Sequence, residues 1–220
     1  MNLKKRFTDS DLARIKDAVK EAEYTISGEI VPVIVERSGY YSIANYKGGI
    51  FGAAFSFLIM VLLDRYIITD AENTLYYDPV FIFFVATVGG IICALLPNIS
   101  TPIKRALISR QHLDNATKQR AESSFLELEV FNTKQRTGIM IFISFFEREV
   151  MVVADKGISK VVEQKVWDKM VTDLVTNIRN EKIVEGIEAS IKKCGEILFE
   201  KGFLKAEDDI NELSDDLRME

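Results

Sequence analysis

Gly48–Leu63, GGIFGAAFSFLIMVLL, and Pro79–Pro97, PVFIFFVATVGGIICALLP, decide how the rest of this sequence is read. The first is a run of sixteen uncharged residues between Lys47 and Asp64, and the second opens a run of twenty-five between Asp78 and Lys104. As a helix rising ~1.5 Å per residue, the second run can cross a hydrocarbon core of ~30 Å. The first is short for this. It reaches if the helix starts near Ile43 and Lys47 snorkels, or if it runs on past Asp64 and Arg65 to Ile68. Tyr40, Tyr41 and Tyr46 lie on one side of the runs and Tyr66, Tyr76 and Tyr77 on the other, an arrangement that suits the two membrane–water interfaces. Gly48, Gly49, Gly52, Ala53 and Ala54, with Gly89 and Gly90, would let two helices approach closely. Neither run carries a polar face, and two buried helices of this kind would need a larger core than the remaining chain supplies. Residues 41–99 are therefore expected to form a transmembrane hairpin that contacts the lipid bilayer.

The charges flanking the runs suggest an orientation. The connection from Asp64 to Pro79 has one base, Arg65, and four acids, whereas Arg37, Lys47, Lys104, Arg105 and Arg110 lie outside the runs. The bias of basic residues toward the cytoplasm predicts two spans of a bacterial inner membrane, with both termini cytoplasmic and the acidic loop outside. An even number of spans returns the chain to the side it left, so the two flanking halves can meet in one cytoplasmic domain.

Composition agrees with this division. Of 220 residues, 28% are charged, yet mean hydropathy is +0.07, so the apolar residues must be concentrated in segments. The net charge of −5 is also uneven: Glu207, Asp208, Asp209, Glu212, Asp215, Asp216 and Glu220 oppose only Arg218 in residues 206–220. That segment reads as an acidic flexible tail. The nearly neutral body carries no basic stripe, which argues against nucleic-acid binding. Cys93 and Cys194 fall in separate segments and form no disulfide framework or zinc spacing. The opening MNLKKRFTDSDL has no apolar stretch after its bases, so no cleaved secretory signal is expected.

The flanking halves alternate between helix and strand. Thr8 with Asp11 is a weak capping box, and Leu12, Ile15, Val19 and Ala22 give one apolar face. Glu29–Glu36 reads as a strand, with Pro32 favouring an edge position or a bulge. After Ser100-Thr101-Pro102 a long helical stretch is expected to about Val130. Strands at Gly138–Phe145 and Glu149–Ala154 follow, joined by a tight turn at Phe146-Glu147-Arg148. Helices are expected over Ser159–Arg179 and Lys182–Phe203. Trp167, near the apolar stripe of the first of these, reads as core packing. Strands this apolar need cover on both faces. The fold class is therefore α/β, a three-layer α/β/α sandwich with a small mixed sheet, interrupted by the hairpin; residues 1–40 and 100–205 make one soluble domain.

FTDSDLARIKDAVKEAEYTISGEI, TKQRTGIMIFISFFEREVMVVADKGI and VWDKMVTDLV together resemble the TPM domain family. The resemblance implies a four-stranded sheet between helices. Three strands are clear, and the fourth is expected around Phe131 or near Ser38. The family is described as phosphatase-like, and plant members are linked to calcium and to photosystem repair, so the resemblance implies a metal-dependent hydrolase or a role in membrane-protein maintenance. Most members are exported and anchored by one terminal helix, unlike this chain.

Chemistry-bearing residues are few. No Asp-x-Asp of the haloacid type, no Cys-x5-Arg loop and no cluster of carboxylates and histidines is evident, and His112 stands just beyond the second run. The best-marked positions are Glu147, Arg148, Asp155, Lys156 and Gly157. In a functional reading they form a ligand or partner loop in which Asp155 offers an oxygen to calcium. In a structural reading Glu147 and Arg148 are turn residues, and Gly157 occupies a positive φ after the strand. The residue pattern favours a non-enzymatic interaction module for a membrane-protein partner, with a phosphatase-like hydrolase and a self-associating membrane protein as alternatives.

Overall fold

A computed structural model describes residues 6–66, 78–205 and 211–220. The chain divides into two compact units: Met1–Gly39 with Asp114–Glu220, and Tyr40–Leu113.

The first unit opens with α1 (Asp9–Glu23). The Thr8 amide donates to the Asp11 carboxylate at 2.8 Å, and the Asp11 amide donates to the Thr8 hydroxyl at 3.2 Å, so the capping box forms. Next comes β1 (Glu29–Val35), and after the intervening unit α5 (Arg110–Glu127) leads into β2 (Gly138–Ser144) and β3 (Glu149–Ala154). Then follow α6 (Lys156–Ser159), α7 (Gln164–Arg179), α8 (Ile183–Glu200) and β4 (Arg218–Met219). The sheet order is β3-β2-β1-β4, with β3 antiparallel to β2 and the other pairs parallel.

Because side chains alternate along a strand, β1 and β2 feed two cores. Ile30, Ile34, Ile139, Ile141 and Ile143 pack with α1, α7 and α8 on one face, where Trp167 is buried. Val31, Val33, Val35, Met140 and Phe142 pack with Ala121 and Phe125 of α5 on the other. The architecture is thus a three-layer α/β/α sandwich, as the sequence implies. Each fully buried Ile contributes roughly 1.5–3 kcal/mol relative to an exposed one.

The fourth strand lies neither around Phe131 nor near Ser38. It is β4, paired at Val33↔Arg218 and Ile34↔Met219. This also corrects the reading of a flexible acidic tail for residues 211–220. Leu217 is buried, the Glu220 amide donates to the Ile34 carbonyl, and the Glu36 amide donates to the Glu220 carbonyl. Glu207, Asp208 and Asp209 lie outside the described residues. A two-residue strand carries no alternation that a sequence reading could detect. Its position also explains Pro32. β1 lies inside the sheet and is not the edge strand that Pro32 suggested. The Glu29 amide bonds toward β2 and the Ile30 amide away from it, so position 32 faces the β4 side, where pairing begins only at Val33 and no ladder N–H is needed.

The second unit holds α2 (Ile43–Tyr66), α3 (Pro79–Ile99) and α4 (Thr101–Ala106). Helix α2 begins at Ile43 and also continues through Asp64 and Arg65. The close approach of α2 and α3 depends on small residues: a Cβ on Gly52 would lie 2.3 Å from that of Cys93, and one on Gly48 would lie 2.6 Å from the Cys93 carbonyl oxygen. Large apolar side chains such as Phe51, Phe55, Phe83 and Phe84 point outward and are exposed. Tyr40, Tyr46 and Tyr66 are exposed at the helix ends, whereas Tyr41 is buried, edge-on to His112. Tyr76 and Tyr77 lie outside the described residues. The single long helix expected after Thr101 is broken at Leu107–Ser109, where the Leu107 carbonyl accepts from Lys47 Nζ at 3.0 Å.

Candidate functional site

The five residues singled out in the sequence do not form one cluster. Glu147 and Arg148 occupy the β2–β3 turn, and Asp155, Lys156 and Gly157 follow β3 at its far end. A strand of this length separates them by roughly 20 Å.

At the turn, Arg148 takes the left-handed conformation (φ 58°) and is exposed. Glu147 is fully buried. Its carboxylate accepts the Ser38 amide at 2.9 Å and the Ser144 hydroxyl, and the Ser38 and Ser144 hydroxyls are 2.9 Å apart. The glutamate thus pins the segment after β1 to the end of β2. Ser38 and Ser144, which complete this arrangement, gave no sequence signal because their partner lies more than a hundred positions away from Ser38.

At the other end, Asp155 caps α6 by accepting the Lys156 amide at 2.7 Å. Arg136 embraces the same carboxylate, Nε to Oδ2 at 2.5 Å and Nη2 to Oδ1 at 3.0 Å. Burial acts to raise the Asp155 carboxyl. The Arg136 bonds, the Lys156 amide and the two cationic charges outweigh burial and hold the carboxyl below its ordinary range. Arg136 itself has φ 58°, and its guanidinium also lies 5.6 Å from the Phe131 ring centroid. Gly157 does not occupy a positive φ. A glycine is required there by crowding, since a Cβ would lie 2.5 Å from the Arg136 carbonyl oxygen and 2.7 Å from that of Gln135.

The donor set at Asp155 does not fit calcium. Both oxygens face the Arg136 guanidinium, which places a fixed positive charge where a cation would bind. Among the described residues, no three His, Cys, Asp or Glu side chains are grouped as metal ligands.

A second polar cluster escaped the sequence reading because its members come from distant segments. Glu23, Glu29 and Asp215 are all buried. Glu23 accepts the Ile30 amide at 2.6 Å, Glu29 accepts the Glu212 and Leu213 amides at 3.1 and 3.2 Å, and Asp215 accepts from the Asn211 side chain at 2.6 Å. A cavity of about 110 Å3 is lined by Glu23 and Glu29 together with Lys20, Lys205 and Asn211. Burial pushes the Glu23 carboxyl up to about 8. Glu29 and Asp215 add to that rise, while the Ile30 amide and Lys205 oppose it. Burial within this cluster therefore favours the neutral form of Glu23 at neutral pH. Its bonds join α1, β1 and the segment before β4.

The fold and these strand-end contacts define a small α/β/α domain whose marked acids are bonded to its own backbone and side chains. Residues 104–197 match the family model of the TPM domain. The opening helix, which carried part of the resemblance, lies outside the matched residues. No curated protein matches the chain. Among solved structures, it resembles the NMR structure of the BA42 protein from the psychrophilic bacterium Bizionia argentinensis, with a TM-score of 0.59 and 18% identity. That similarity covers 100% of this chain and 99% of the other and concerns the fold.

Proposed function

We propose that this protein is a membrane-anchored, non-enzymatic interaction module, held by the α2–α3 hairpin at the cytoplasmic face of a bacterial inner membrane. It would bind a membrane-protein partner in assembly or maintenance. The observation that carries this reading is the hairpin itself. Both helices are long and apolar enough to cross a membrane, yet only 17% of the apolar window in α2 and 6% of that in α3 is buried. A core helix of a soluble protein would be mostly covered. The non-enzymatic half of the reading is supported by the marked acids, since Glu147 and Asp155 are bonded into the turn and the helix cap. The glycine seam closes α2 on α3 within one chain, which favours a separate protein partner over glycine-mediated self-assembly.

Two experiments test the reading. Reporter fusions at residue 1, between residues 67 and 77 and at residue 220 should place both ends in the cytoplasm and the middle fusion outside; an external residue 1 overturns the location. Purification of the full chain in mild detergent should bring down a stoichiometric membrane protein. Recovery of the chain alone, or metal-dependent phosphate-ester turnover that disappears in Asp155→Ala with the fold intact, overturns the function.

A further inference from the structure

The unit Tyr40–Leu113 has strongly separated charge. Between Tyr40 and Leu63, and again between Pro79 and Leu113, there is no Asp or Glu, while Lys47, Lys104, Arg105 and Arg110 all belong to these stretches. All its acids fall between Asp64 and Asp78. Folding collects the bases at one end. Helix α4 packs against both α2 and α3, and its last turn carries Lys104 and Arg105. The bond from Lys47 Nζ to the Leu107 carbonyl ties the end of α4 back to α2 and fixes where those two cations stand. The same end exposes Ile99, Ile103, Tyr40 and Tyr46, side chains that favour the boundary between acyl chains and headgroups. Apolar anchors beside a cationic cluster complement an anionic bilayer surface.

We infer that the α4 end of the hairpin is a binding surface for anionic phospholipid headgroups, with Lys104 and Arg105 as its principal contacts. This inference rests on the membrane reading above. Each basic residue held near an anionic leaflet strengthens association roughly fivefold. Free inorganic phosphate shares the headgroup chemistry but lacks the bilayer that Ile99 and Ile103 would enter.

The test uses the full chain reconstituted into phosphatidylcholine bilayers, with spin-labelled phosphatidylglycerol or spin-labelled phosphatidylcholine as the probe. Electron paramagnetic resonance reads the fraction of each probe immobilised at the protein. The expected result is about a three- to tenfold preference for the anionic probe. The preference should fall to less than half in the double variant Lys104→Gln with Arg105→Gln. It should survive Lys169→Gln with Lys192→Gln, which removes the same charge from α7 and α8, and it should survive millimolar inorganic phosphate at constant ionic strength. Equal immobilisation of both probes overturns the inference and leaves the membrane reading standing. A preference untouched by the α4 variants, or abolished by inorganic phosphate, overturns it as well. No immobilised probe of either kind overturns the membrane reading and the inference together.

Discussion

Helices α2 and α8 are both rich in apolar residues, yet they distribute them in opposite ways. In α8 the bulky side chains Ile187, Ile191, Ile197 and Leu198 point inward to the sheet. In α2 the inward positions include Ala44, Gly48 and Gly52, and the bulky side chains Phe51, Phe55 and Leu58 point outward. The contrast fits the membrane setting proposed for α2. Against water, burial of large apolar groups drives packing; where the exterior is itself apolar, that drive vanishes and close contact between small residues takes over.

The comparison is broken most severely at the seam. With Cys93→Ala as background, Gly49→Cys and Ala94→Cys should form a disulfide, because a Cβ on Gly49 lies 3.4 Å from that of Ala94. Adding Gly52→Leu should abolish it, since the new side chain meets the Gly89 carbonyl oxygen, 2.8 Å from the first carbon. In the soluble unit the opposite change is the damaging one. Ile141→Ala empties a fully buried site and should cost about 2–5 kcal/mol, read from the fluorescence of buried Trp167 during urea unfolding.

Two carboxylates sharpen the contrast, because ionisable groups stay folded into the soluble unit only with specific compensation. Glu23 has its carboxyl raised from 4.5 to about 8 in the folded protein, so folding takes up a proton at neutral pH. Stability from this group is complete below about 4.5 and is lost as pH rises toward about 8. Glu23→Gln keeps an acceptor for the Ile30 amide and removes the titration. Its stability relative to the native chain should therefore rise between pH 5 and 8, by a few kcal/mol at most. Asp155 behaves in the reverse sense. Its folded carboxyl is lowered, so its contribution is present above the unfolded value and is lost as pH falls through the folded one. Asp155→Asn should cost about 1–2 kcal/mol at pH 7, limited by solvent at half-exposed Arg136, and the deficit should close in acid. The smallest effect is expected at Phe55→Ala on the outer face of α2, within about 0.5 kcal/mol in detergent.

Local signals carried much of this architecture. The Thr8–Asp11 box, the strand at Glu149–Ala154 and the start of α2 at Ile43 each follow from neighbouring residues. Features that depend on distant partners were not legible. Arg136 looks like any basic loop residue until the fold brings it to Asp155, and Glu23 and Glu29 look like surface acids until α1 and residues 211–217 close over them. β4 was hidden for a related reason: its two residues are defined by β1, and the charge around them suggested solvent. The break between α4 and α5 is compensated by Lys47, sixty residues upstream of the carbonyl it reaches.

The place of the hairpin between β1 and β2 also imposes an order on biosynthesis. Both ladder partners of β1 follow the hairpin in the chain. At a ribosomal rate of about 5–20 residues per second, β1 leaves the ribosome many seconds before either partner exists. During that interval EIVPVIV is an apolar segment without its ladder partners. Pro32, which precedes the first pair with β4 and so costs the finished sheet no hydrogen bond there, removes one donor from any premature pairing. A residue that looks like a blemish in the mature strand thus narrows the pairings open to the nascent one.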